Sequence, residues 1–130
     1  MFKTLALATS AVTFLVTAGC ANTSAPAPKA PAMLSAGALV APSGMTLYTF
    51  DNDAANSGKS ACNGPCAALW PPMMATATDQ PTGAYNIVMR EDGSRQWAYK
   101  GKPVYTYKAD QKAGDRTGDN FKNVWHIIKE

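Results

Sequence analysis

Gly44-Met45-Thr46-Leu47-Tyr48-Thr49-Phe50-Asp51-Asn52-Asp53 and Gly101-Lys102-Pro103-Val104-Tyr105-Thr106-Tyr107-Lys108-Ala109-Asp110 lie 57 residues apart and align without a gap. Glycine, an aliphatic residue, Tyr, Thr, an aromatic residue and Asp recur in step. Each copy is followed by a polar, glycine-containing loop and then a tryptophan, Trp70 or Trp125. Internal repetition of this kind reads as a duplication. Both copies are rich in aromatic and β-branched residues and read as strands. Period two divides Leu47 and Thr49 from Tyr48 and Phe50, and Val104 and Thr106 from Tyr105 and Tyr107. The aromatic faces are the expected core. Asp53 and Asp110 fall where each strand ends, where a carboxylate accepts backbone N–H groups and closes a turn.

Working outward, residues 84–90 and 96–99 read as strands joined by Glu91-Asp92-Gly93-Ser94, which holds a hairpin-type Asp-Gly pair. Gly101-Lys102 offers a second tight turn, so residues 84–107 read as a three-stranded meander. Residues 37–40 and 124–128 read as opening and closing strands. One or two helical turns are expected at 65–69, stopped by Pro71-Pro72. The expected fold is all-β or mostly β: a small sandwich or open barrel of two related halves, about 37–74 and 84–130, with one short helical turn.

The N-terminus reads as an address. Lys3 supplies a positive start, residues 5–16 are apolar but too short to span a bilayer, and Thr17-Ala18-Gly19-Cys20 places small residues before a cysteine. This predicts a leader over 1–20 that ends at a lipoprotein cleavage site, with Cys20 lipidated and Thr17 standing where a large aliphatic residue is usual. A diacyl or triacyl cysteine anchors stably. Residues 21–36 are rich in Pro and Ala, lack apolar periodicity and read as a tether, extending about 3.1 Å per residue where polyproline-like. The expected location is the bacterial cell envelope. The folded domain is expected over 37–130.

The chain has 130 residues, 46% of them hydrophobic and 16% charged, which fits one small domain. Its net charge of +3 is too small an excess to predict nucleic-acid or membrane-surface binding. Cys62 and Cys66 are four positions apart across Asn-Gly-Pro, and an oxidising compartment favours a disulfide between them. The alternatives are a redox-active pair or a soft-metal site completed by Met73, Met74 and His126. Thioredoxin-like chemistry wants Cys-x-x-Cys opening a helix, and covalent haem attachment wants a histidine where Ala67 stands.

His126 is the single histidine and lies in an apolar run, where a packed, hydrogen-bonded role is expected. No Gly-x-Ser-x-Gly turn accompanies it, which argues against a serine-nucleophile site. Asp51-Asn52-Asp53 imitates a calcium loop, but Ala55 occupies the third ligand position and no closing glutamate follows. Residues 114–120 read as a solvated loop. Trp70, Trp97 and Trp125 are a candidate ligand platform, with core packing as the competing role. No catalytic residue and no cofactor are expected.

Tyr48-x-Phe50-x-x-Asp53 and Tyr105-x-Tyr107-x-x-Asp110, together with the stretches 60–72, 96–103, 114–120 and 124–126, resemble a bacterial family of secreted lipoproteins of unknown function that carries a repeated Tyr-x-aromatic-x-x-Asp motif. The resemblance covers residues 37–129 and implies an envelope location and a paired-repeat domain. The expected function is a non-catalytic binding or structural module whose partner is an envelope protein, a glycan or a small ligand. The alternative is a redox or copper-handling accessory using Cys62 and Cys66.

Overall fold

The fold is given by a computed structural model that describes Gly19 and residues 29–130; the rest of the expected leader, the lipidation site Cys20 and the tether through residue 28 lie outside the described residues. Seven short strands carry the fold: β1 (Met33–Ser35), β2 (Ala38–Val40), β3 (Tyr48–Phe50), β4 (Tyr85–Met89), β5 (Arg95–Tyr99), β6 (Lys102–Pro103) and β7 (Trp125–Ile127). They form antiparallel sheets β1-β2, β3-β7 and β4-β5-β6, with no closed barrel among the described residues. Helix α1 spans Pro65–Leu69, with Pro65 in its first turn and Pro71-Pro72 beyond its end. A 3-10 turn covers Phe121–Asn123.

Two hairpins set the registers. Ala36-Gly37 and Lys100-Gly101 each place two consecutive residues at positive φ, the geometry that matches strand twist in a two-residue turn. Both turns close antiparallel pairs, Ser35↔Ala38 and Tyr99↔Lys102. Strand β1 lies within the stretch expected to be tether, because Ala36 turns the chain back onto β2. The expected meander is present, but its third strand is brief. The N–H of Val104 still donates to the Trp97 carbonyl at 3.0 Å; beyond it the chain leaves β5, and Tyr105 bridges instead to Tyr48 and Pro72.

Besides the sheets inside each half, the two halves pair across each other through their aromatic strands. Tyr48 is opposite Ile127 in β3-β7, and Tyr105 is opposite Pro72. The N–H of Asp51 donates to the carbonyl of Val124 at 2.8 Å, and that of Lys108 to Leu69 at 2.9 Å. Each repeat's aromatic strand therefore pairs with the segment that follows the other repeat's tryptophan.

The expected one-sided burial is corrected. Leu47 and Val104 are as fully buried as Tyr48 and Tyr105. The layer is packed on both sides: Leu39, Leu47, Trp97, Val104 and Ile128 form one core, and Tyr48, Cys62, Trp70, Tyr105 and Trp125 form the other.

Candidate functional site

The repeated Tyr and Asp meet across the repeats. Tyr48 Oη donates to Asp110 Oδ2 at 2.6 Å, and Tyr105 Oη donates to Asp53 Oδ2 at 2.6 Å. The second carboxylate oxygen closes the local loop in each case. Asp53 Oδ1 accepts the N–H of Ala61 at 2.6 Å, and Asp110 Oδ1 accepts the N–H of Thr117 at 3.0 Å together with its hydroxyl. The turn-closing role expected from sequence is thus joined to a second one, a clamp on the partner repeat. Burial first, and then the hydrogen bond to the carboxylate, pushes both tyrosine pKa values well above the ordinary 10.0. These phenols are poor proton donors in water's range.

Phe50, Trp125, Trp70 and Tyr107 form a continuous stack, with ring centroids 4.3, 3.9 and 4.0 Å apart in that order. The two tryptophans are inclined by only 3°. Both faces of each tryptophan are therefore covered by another ring, and Trp97 packs in the opposite core. The three tryptophans do not come together as a platform, and neither stacked one offers a free face to a sugar or quinone ring.

Beside Tyr105 runs a buried polar chain that the sequence reading missed. Arg90, 7% exposed, donates to Ser60 Oγ at 3.0 Å, Gln96 Oε1 at 2.7 Å, the Cys62 carbonyl at 2.7 Å and Asn63 Oδ1 at 3.1 Å. Ser60 Oγ lies 2.6 Å from Tyr105 Oη, and Gln96 Nε2 donates to the Val104 carbonyl at 2.9 Å. Among the described residues, every buried side-chain nitrogen and oxygen has a partner. A signal for Arg90 did exist, since it is in phase with buried Val88 along β4.

Cys62 and Cys66 are joined by a disulfide. Cys62 is fully buried in the aromatic core, and Cys66 is half-buried. The other residues of the alternative metal set lie elsewhere. Met73 packs against the aliphatic core, and Met74 is exposed beside β5. His126 is hydrogen-bonded to Asn120 Oδ1 at 3.1 Å and Asp51 Oδ2 at 2.9 Å. Among the described residues no group of three His, Cys, Asp or Glu is arranged to hold a metal ion.

Two clefts flank β3-β7. One, of about 290 Å³, runs past the edges of Trp70 and Trp125 and is bounded by Cys66, Leu69 and Phe121. The other, of about 330 Å³, is lined by Thr49, Tyr99 and Ile127 together with Lys100, Lys102 and Lys129. Lys100 and Lys102 lie at the turn between β5 and β6, and Lys129 follows β7 far along the chain, so no local pattern announces that they line one cleft.

No curated protein and no solved structure matches the chain. Residues 35–74 and 86–129 each match one repeat of Lipoprotein_15, described as a secreted repeat of unknown function. The chain belongs to that secreted repeat family, and its two matched copies are the halves that clamp each other through Tyr48–Asp110 and Tyr105–Asp53.

Proposed function

We propose that the mature chain is a lipid-tethered, non-catalytic binding module of the cell envelope. One observation carries this reading: the repeated Tyr, Asp and Trp side chains are buried and spent on joining the two halves, with their polar atoms partnered and the tryptophan faces covered. A motif used this way builds a scaffold, and the open clefts are what remain for recognition. Membership of a secreted family supports export, and Cys20 with its Pro/Ala-rich tether supports the anchor.

Fractionation of cells expressing the chain tests the anchor. The native chain is expected with the membranes and to incorporate labelled fatty acid. Cys20→Ser is expected to lose both. Label retained in Cys20→Ser defeats the assignment.

A redox accessory is the second reading, and one observation favours it: half-buried Cys66 faces the aromatic cleft, where an incoming thiolate has access. Thiol titration read by intact mass separates the two. A reduction potential below about −300 mV marks an inert bond, and one near about −200 to −120 mV marks an exchanging pair.

A further inference from the structure

We infer that the cleft lined by Lys100, Lys102 and Lys129 seats the headgroup of an anionic phospholipid in the membrane that carries the anchor. The inference deepens the binding-module reading by naming its ligand class. Three of its observations are independent of the sequence motif.

The first is charge. Three lysines line one cleft, Lys100 with its Nζ 5.2 Å from the Tyr99 ring centre, and among the described residues none of them is in an ion pair; the pairs present are Lys112–Asp115 and His126–Asp51. Cations held near one another without a carboxylate repel, and an anion relieves that repulsion. The same cleft is lined by Ile127, Ile128, the Tyr99 ring and Thr49, a mixed wall that suits the glycerol and ester region of a lipid better than a fully hydrated free ion.

The second is rigidity. Lys100 sits at φ 49° in the Lys100-Gly101 turn, which is docked on the 54–58 loop: Asn56 donates its N–H to the Gly101 carbonyl at 2.9 Å. A Cβ at Gly101 would fall 2.1 Å from Asn56 Oδ1, so only glycine lets the two turns close on each other. Two of the three lysines therefore come from a fixed turn rather than a loose loop.

The third is position. Lys129 bridges to Ala38, and Ala38 is opposite Ser35, so Lys129 is two strand spacings, about 10 Å, from the strand at which the tether enters. That strand exposes Met33 (51%) and Leu34 (45%). Lysines and unburied apolar side chains beside a tether to a lipid are the composition that meets a headgroup layer.

Vesicle co-sedimentation of the mature chain carrying Cys20→Ser tests this, using phosphatidylcholine vesicles with and without phosphatidylglycerol. Binding is expected only when phosphatidylglycerol is present. Lys100→Gln, Lys102→Gln and Lys129→Gln together are expected to lower it about a hundredfold, from the attraction each lysine near an anionic surface contributes. Lys59→Gln, Lys108→Gln and Lys122→Gln change the net charge equally and are expected to cost far less. Near-equal losses in the two triple variants, or binding indifferent to phosphatidylglycerol, overturn the inference. So does inorganic phosphate saturating the Lys100 and Lys102 amide shifts while vesicles add nothing. The readout does not need the anchor, so failure of the Cys20 assignment leaves it intact.

Discussion

Tyr48 and Tyr105 face each other across the junction of the repeats, each donating its N–H to the other's carbonyl, at 2.8 and 3.0 Å. Their hydroxyls then reach past one another to Asp110 and Asp53. A local pseudo-twofold axis passes between these two residues, and the Trp70–Trp125 stack obeys the same exchange. Neither half completes the pairing of its own aromatic strand, and each aspartate takes its tyrosine from the other half. The duplication is thus a condition of the fold rather than two folded units in series.

The cross-pairing makes a sharp thermodynamic prediction. In double-mutant cycles read by urea denaturation, Tyr48→Phe with Asp110→Asn is expected to show a coupling of about 1–3 kcal/mol, as for a buried hydrogen bond to a carboxylate. Tyr48→Phe with Asp53→Asn, five residues away in the same copy, is expected to be additive within about 0.5 kcal/mol. The reverse ranking would place each tyrosine on its own repeat's aspartate and contradict the geometry.

Alkaline stability follows from the same phenols. Their folded pKa values lie above the ordinary 10.0 because burial, and then the facing carboxylate, disfavours the phenolate. The folded state therefore keeps protons that the unfolded chain releases. Stability is fully present below pH 10 and is expected to fall as pH rises beyond it, by about 1.4 kcal/mol per unit for each tyrosine. Urea midpoints measured across that range, beside tyrosinate absorbance, check this. Tyr48→Phe/Tyr105→Phe is expected to be less stable at neutral pH but flatter above pH 10. An equal slope in the variant rejects the assignment.

The repeat, the strand at each copy, the meander, the helical turn at Pro65 and the disulfide were legible because each has a local signal: recurrence, alternation, a glycine turn, a proline, a four-residue cysteine spacing. The cross-repeat hydrogen bonds were not, since nothing in a strand's own sequence says whose loop its hydroxyl will meet. Trp97 shows the same limit. Nothing local separates it from the other tryptophans, but it pairs with Ile87 in β4-β5 and enters the aliphatic core. Strand β1 was hidden by the Pro/Ala-rich composition around it, and the partners of Arg90 by their distance along the chain, since Ser60, Cys62 and Asn63 are 27–30 residues away. Both are tertiary outcomes.

Gly118 tests the stack from the side. A Cβ there would lie 2.6 Å from Trp70 Cη2 and 2.9 Å from a Tyr107 ring carbon, too close for the rings to keep their places. Gly118 is not at positive φ, so the constraint is packing rather than backbone strain. Gly118→Ala is expected to cost about 1–3 kcal/mol. Adding Trp70→Phe is expected to cost less than the sum of the two single losses, because the smaller ring makes room. Full additivity in thermal melts would show that the stack does not press on Gly118.

The last prediction ranks two supports of the loop that carries Ser60 and Cys66. The disulfide closes only a short ring, so Cys62→Ala/Cys66→Ala is expected to cost about 2 kcal/mol on the chain-entropy estimate. Arg90 holds the same loop with hydrogen bonds to Ser60, the Cys62 carbonyl and Asn63, and also satisfies Gln96. Arg90→Met removes the donor to four buried or half-buried acceptors at once, and Gln96 Oε1 and Asn63 Oδ1 are left to find water or go unpaired. Its expected cost is the larger, about 3 kcal/mol or more. With Arg90 in place the loop keeps its path after reduction, so reduced native chain should retain the near-ultraviolet dichroism of the ring stack. If reduction collapses that signal while Arg90→Met preserves it, the disulfide, not the guanidinium, is what holds the loop against the aromatic core.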